Sequence, residues 1–258
     1  MPDKVILFRG FPAETAYCIS PFPTKLEFRL RHGRLPYQVE EGSSTAAPKG
    51  KVPYVDLSAL QNSESVITAH FGDSTLILRR LVDMGQLEDL NANLSPEQKM
   101  ADLGIRALLE DKLYFYNMRE RWIDNYYVHR EIALWNKPLP IRVLVGMLIY
   151  RSITATLHGQ GTGRFTSDEI GLFRADIWQQ IDLLLKSRRQ RLTSDQPFWV
   201  LGNEEPTEAD ATLYGFIVSA LVAPSGPTST AIVKALPNVM EYAERIHTSL
   251  FPDYDKWS

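Results

Sequence analysis

The sequence predicts a small α/β unit followed by an all-helical domain, and three observations carry that prediction. Short apolar or β-branched runs alternate with helical patterns only in the first third of the chain. After Ala69 the strand period is lost. Beyond Leu94, helix-start signals recur ahead of apolar residues spaced three and four apart.

The elements follow in order. Val5 to Phe8 has a buried-strand pattern, and Thr24 to His32 reads as a helix that stops at Gly33. Tyr37 to Glu40 is extended after Pro36, Tyr54 to Leu57 follows Pro53, and Val66 to Ala69 is β-branched. Gly72-Asp73-Ser74 is a turn that opens a helix through Leu81 and Val82, with Asp73 placed to cap its amino end. Ser95-Pro96-Glu97-Gln98 is a capping box with proline at the first helical position, and Met100, Leu103, Ala107, Tyr114 and Met118 continue one stripe. Ile141 to Leu157 is helical and ends in the glycine-rich run His158 to Gly163. A second capping box, Thr166 to Glu169, precedes the stripe Ile170, Phe173, Ile177, Ile181 and Leu184. Lys186, Arg188, Arg189 and Arg191 then fall where a helix carboxyl end attracts cations. Helices over about Thr207–Val222 and Asn238–Ser249 complete the pattern. The division falls near residues 85–94, giving an α/β domain over 1–85 and a helical domain over 95–258.

Composition removes several function classes. The 28 Lys and Arg against 31 Asp and Glu leave a formal charge of −3, with no overall basic field to hold a nucleic acid or an anionic membrane. The single cysteine, Cys18, excludes an intramolecular disulfide and every zinc site built on paired thiolates. With an amino-terminal apolar run too short for a secretion signal, this points to a reducing, cytoplasmic setting. The most apolar window, Val143 to Ile149, falls below the roughly 18 residues a membrane span needs, so no span is expected. The five histidines form no sequence-local metal pair, and no metal is assigned.

Four constellations could carry chemistry. Cys18-Ile19-Ser20-Pro21-Phe22-Pro23-Thr24-Lys25 links the first strand to the first helix, where backbone amides can stabilise a thiolate or another anion. Ser20 is placed to donate a hydrogen bond to such an anion; Ser20 or Thr24 as a simple helix cap is the structural alternative, and Cys18 could compete as a thiolate or be a buried hydrophobe. In Lys49-Gly50-Lys51-Val52-Pro53-Tyr54, a cis bond before Pro53 would free the backbone of Val52 to pair with a peptide-like ligand, whereas a trans proline would be an ordinary loop residue. Lys49 and Lys51 could meet a carboxylate. Thr207-Glu208-Ala209-Asp210 reads as a capping box, with Asp210 reaching back to the Thr207 amide. The tyrosine and phenylalanine cluster at 114–116 and 126–127 reads as core. Gly159, Gly161 and Gly163 follow a helix and lack Gly-Lys-Ser/Thr, so they make no phosphate loop, and the absence of Gly-x-Ser-x-Gly argues against a serine hydrolase.

Together these segments resemble the glutathione S-transferase superfamily, and more closely its failed-axon-connections and metaxin-like branch. The residues that carry the resemblance are Ser20-Pro21-Phe22 with Lys25-Leu26-Glu27, Ala47 to Tyr54, Gly72-Asp73-Ser74-Thr75, His158-Gly159 with Gly161 and Gly163-Arg164, Pro206-Thr207 with Asp210-Ala211-Thr212, and Leu236-Pro237-Asn238 with Glu244-Arg245-Ile246 and Phe251-Pro252-Asp253. They run in family order over nearly the whole chain. The resemblance implies a thioredoxin-like amino-terminal domain that binds glutathione and a helical domain that forms the second-substrate site. It implies a transferase in which Ser20 activates the glutathione thiolate for attack on a small electrophile, in the manner of detoxification enzymes. It places the backbone of Val52, ahead of the cis-proline Pro53, on the cysteinyl part of glutathione, and Asp73 and Ser74 on the γ-glutamyl end, with Lys51 also among the glutathione-binding residues. It also admits a homodimer. Branch members often carry a cysteine where this chain has Pro23, which counts against disulfide reductase activity, and the tail lacks the membrane anchor usual in metaxins. A non-catalytic glutathione or ligand-binding scaffold and a mitochondrial-surface component are the alternatives.

Overall fold

A computed structural model of the chain describes residues 4–10, 15–60, 70–191 and 196–257. Among these, a four-stranded sheet has the order β2-β1-β3-β4, with β1 at Val5–Phe8, β2 at Tyr37–Glu40, β3 at Tyr54–Asp56 and β4 at His70–Gly72. β1 runs parallel to β2 and antiparallel to β3, which is antiparallel to β4, so the sheet is mixed. The parallel pair requires a crossover, supplied by α1 (Pro21–His32). Leu26 and Leu30 of α1, together with Ile77, Leu78 and Leu81 of α2 (Ser74–Asp83), pack with Val5, Leu7 and Val55 of the sheet. This is the thioredoxin-like unit. The predicted strand at Val66–Ala69 lies outside the described residues, and the fourth strand begins at His70.

From Pro96 the described chain is helical or in connecting turns. α3 (Pro96–Leu108), α4 (Tyr114–Arg119) and α5 (Tyr126–Ala133) are joined through two π-helical turns, Leu109–Leu113 and Glu120–Asp124. α6 (Leu139–Gln160), α7 (Ser167–Arg189), α8 (Glu208–Val222), α9 (Pro227–Lys234) and α10 (Pro237–Leu250) follow. Both amino-terminal capping boxes form as read, and Asp210 accepts from the Thr207 amide at 2.8 Å.

The core of the helical domain is α8, buried from Ala209 to Leu221. The Asp102 carboxylate holds its start: Oδ1 accepts from the Ala209 amide at 2.7 Å, while Oδ2 takes Asn91 and Arg106. Asp210 is buried beside it and takes the Val200 amide at 2.7 Å and the Tyr242 hydroxyl at 2.9 Å. The opposite face of α8 lies along α1 and unites the two domains.

The chain's far end closes the first strand. Arg9 on the sheet side is fully buried and donates to Glu27 at 3.2 Å and to the Tyr254 hydroxyl at 3.1 Å, and that hydroxyl also bonds Glu27. Arg31 clasps both oxygens of Asp253 and stacks over the rings of Phe251 and Tyr254.

Several sequence expectations are corrected. Met100 and Leu103 are exposed, at 67% and 51%, because the inward face of this helix is instead Asp102, Leu109, Leu113 and Tyr116. The π turns rotate the face, and a buried carboxylate takes a place where periodicity looks for an apolar residue. The helix predicted from Thr24 begins at Pro21, whose fixed φ suits a first turn. α6 continues through Gly159 and ends only at Gly161, whose φ is +106°. α9 was not foreseen. The Val143–Ile149 window lies within α6, which at 22 residues is by length and composition long and apolar enough to cross a bilayer, with 6% of its apolar window buried.

Candidate functional site

The sheet register brings three loops to one end. Phe8 pairs with Tyr54, and Tyr54 with Gly72, so the chain leaving β1, the residues entering β3 and those leaving β4 are neighbours. The Val52–Pro53 peptide is cis. Gly10 packs on Val52, since a Cβ there would stand 3.2 Å from the valine Cγ2. Next to Gly72 is Asp73, a non-glycine residue at φ +82°, a sparsely populated conformation held by its surroundings. Its Oδ1 accepts from the amides of Thr75 and Leu76, both at 3.1 Å, while Oδ2 has no hydrogen bond among the described residues. Ser74 is buried in the first turn of α2. Lys51 is exposed on the loop before β3.

Ser20 occupies the position before α1 with extended backbone, φ −82° and ψ 136°. Its side chain makes no capping bond, so the simple helix-cap reading is not what the hydroxyl does here. It lines a cavity of about 150 Å³ shared with Tyr114 and Asn117 of the helical domain. Its two rivals do not line this cavity. Cys18 is 1% exposed, its sulfur bonds the Arg9 carbonyl at 3.5 Å, and burial pushes its thiol up to about 12 despite the Ser20 backbone N–H. The Thr24 hydroxyl is buried without a partner among the described residues.

Sequence reading missed the far wall of this cavity. Arg121 donates through Nη1 to the Ile19 carbonyl at 2.8 Å and through Nη2 to the Ser219 carbonyl and hydroxyl, at 2.8 and 3.0 Å. The Ser219 hydroxyl donates in turn to the Ile19 carbonyl at 2.6 Å. His129 lines the same cavity with Nδ1 2.7 Å from the Ser225 hydroxyl, and burial followed by the Arg121 charge lowers its pKa to about 3. It is neutral at physiological pH. The tyrosine cluster read as core divides: Tyr116 is buried, Tyr114 lines the cavity and Tyr127 is 73% exposed. A signal for Arg121 existed in hindsight, as a cation set on the apolar face of a helix among aromatic residues.

Two family models match this arrangement, the glutathione S-transferase N-terminal domain over residues 21–127 and the glutathione S-transferase C-terminal domain over residues 185–246. The chain belongs to the glutathione S-transferase superfamily. A curated relative, the isoprene-epoxide–glutathione S-transferase of Rhodococcus sp. (strain AD45), is 28% identical over 244 residues, covering 88% of this chain and 91% of that one. Solved transferase structures share the fold at low identity. One from Phanerochaete chrysosporium superposes with a TM-score of 0.57 at 12% identity, covering 99% of this chain and 98% of its own. One from Methylobacterium radiotolerans, in complex with glutathione sulfonate, gives 0.53 at 14%, covering 98% and 96%. In this transferase the thioredoxin-like and helical parts therefore meet at the loop that carries Ser20.

Proposed function

We infer that this glutathione S-transferase uses Ser20 to hold the glutathione sulfur as a thiolate that attacks a small electrophile seated against the helical domain. The observation that carries the reading is the uncommitted Ser20 hydroxyl at the start of α1, on the wall of an interdomain cavity. A hydroxyl donating to sulfur there, reinforced by the α1 amides, lowers the thiol pKa and raises the reactive fraction at neutral pH. Val52 offers the backbone ahead of the cis-proline Pro53 to the cysteinyl part, with Lys51 nearby on the same loop. The free oxygen of Asp73 suits the γ-glutamyl ammonium, and Ser74 with the α2 amides suits its carboxylate. Residues 1–85 thus supply the glutathione half of the site and residues 95–258 the electrophile half.

Within the superfamily, the motif order favours the failed-axon-connections and metaxin-like branch. A cytoplasmic homodimer acting in detoxification completes the reading. Retention on immobilised glutathione followed by a conjugation assay tests it: binding with turnover supports the transferase, and binding without turnover supports the scaffold. Sedimentation of the purified chain tests the dimer.

A further inference from the structure

α6 is covered along one side. Its inner stripe is Gly146, Tyr150, Ile153 and Leu157. A Cβ on Gly146 would stand 2.7 Å from the Arg130 Cδ, and the Tyr150 ring lies 5.2 Å from that of Tyr126. Ile153 lines the Ser20 cavity and Leu157 is buried. Helical spacing puts Ile141, Leu144 and Leu148 on the opposite side, where Leu144 and Leu148 are each 61% exposed. Leu139, Val143 and Met147 in the same half of the helix are exposed as well, as is Trp135 in the turn before it. An exposed apolar patch of this extent marks a contact surface.

The charges around the patch identify its partner. From Ile132 to Ser167 the sequence holds Lys137, Arg142, Arg151 and Arg164 and no aspartate or glutamate, although the whole chain carries −3. Arg142 pairs with Glu131, which also accepts from Arg130, so that group of three keeps one positive charge. Arg142 also donates to the carbonyls of Trp135 and Lys137 and ties that turn to the helix. Lys137, Arg151 and Arg164 are exposed and have no ion pair among the described residues. Arg151 lies on the outer side, three positions past Leu148. A two-fold contact of this face with a second copy would set cations against cations. An apolar helix face bordered by cations, with a tryptophan at its end, instead suits an anionic bilayer surface. There Leu and Trp enter the acyl boundary while Lys and Arg reach the phosphates.

We propose that the protein docks on membrane surfaces that contain anionic lipid, with α6 lying flat and Ile141, Leu144 and Leu148 turned toward the acyl chains. The helix lies on the bilayer rather than crossing it, because its inner stripe stays packed on α5 and on the cavity wall. The balance of the whole chain hides this surface, since the acidic residues that make the net charge negative fall outside the segment. The docking helix supplies Ile153 to the cavity that holds Ser20, so the membrane contact and the site share one element.

Co-sedimentation of the full chain with vesicles tests this, using phosphatidylcholine alone or mixed with phosphatidylglycerol. The unsubstituted protein should bind the mixed vesicles at least about 10-fold more tightly than the neutral ones and lose most of that preference in molar salt. Leu144→Glu combined with Leu148→Glu should weaken binding to the mixed vesicles by about 10-fold or more. Lys137→Glu combined with Arg151→Glu should abolish the preference for anionic lipid. All four side chains face solvent, and circular dichroism checks that the variants fold; the titration of the unsubstituted chain decides without them. No binding to either vesicle, or equal binding to both, overturns the proposal. A chain that ignores vesicles and passes from dimer to monomer with Leu144→Glu and Leu148→Glu would assign the face to a second copy and overturn it as well.

Discussion

A Cβ added to Gly215 of α8 would stand 2.4 Å from the Pro21 carbonyl oxygen and 3.2 Å from the Lys25 amide. The backbone of the buried helix thus abuts the first turn of α1, one residue beyond Ser20. Gly215→Ala should force the two helices apart and cost about 1–3 kcal/mol, the range for overpacking a tight core. Because the displaced atoms adjoin the proposed sulfur site, turnover should fall in protein that remains folded. Chemical denaturation alongside steady-state kinetics checks both. Full stability and full activity would mean that this contact positions nothing.

Ser20→Ala should leave glutathione affinity nearly intact while turnover drops by about 10- to 1000-fold, equivalent to roughly 1.4–4 kcal/mol of transition-state stabilisation. The pH–rate profile should shift alkaline, since the sulfur loses a donor that favours its ionised form. Retained turnover with the original pH dependence would remove the assignment.

Asp73 has two tasks that substitutions can separate. Asp73→Asn keeps a side-chain oxygen for the Thr75 and Leu76 amides but loses the charge, whereas Asp73→Ala loses both. Glutathione binding should weaken by about 1.5–3 kcal/mol in each, while only the alanine variant should also lose about 1 kcal/mol of folding stability. Calorimetry and thermal melts together distinguish the two contributions.

The acid limb of stability should depend on His129. Its pKa falls from an ordinary 6.5 to about 3 on folding, so the unfolded chain binds the extra proton between those values. Its contribution is therefore full above about 6.5 and is lost as pH falls toward 3. Asp210 opposes it, because burial raises that carboxyl from 3.8 to about 6 and the folded state binds the proton there. His129→Gln should flatten or reverse the decline in stability between pH 6.5 and 4. An unchanged pH slope in denaturation experiments would contradict this.

Cys18 should behave as an inert core residue. With its thiol pushed up to about 12, the folded protein should resist alkylation near pH 8 and react only on unfolding. Cys18→Ala should keep turnover within a few-fold. A loss equal to that of Ser20→Ala would transfer the chemistry to the thiol.

The sequence made the architecture legible because its punctuation is local. The capping boxes at Ser95, Thr166 and Thr207 and the cap at Asp73 each involve residues within three positions of one another, and all form. What it hid depends on distant partners. Asp102 and Arg121 sit on inward helix faces because their partners, Ala209 and Ser219, lie about 100 positions away, and no period of the local chain announces them. The same holds for Ser20, whose local pattern fits a helix cap; only its missing capping bond and its cavity in three dimensions separate the two uses.

The bond from Arg9 to Tyr254 spans 245 positions, and this separation bears on biosynthesis. At typical elongation rates of 5–20 residues per second, β1 waits roughly 10–50 s on the ribosome before Tyr254 exists to meet it. Throughout that interval Arg9 and Glu27 lack the hydroxyl that bridges them, and the aromatic seal of Phe251 and Tyr254 over Arg31 is missing. The sheet unit is thus a late-maturing part of a molecule whose strands are made first. During translation the side of α1 that carries Glu27 and Arg31 stays uncovered until these last residues emerge.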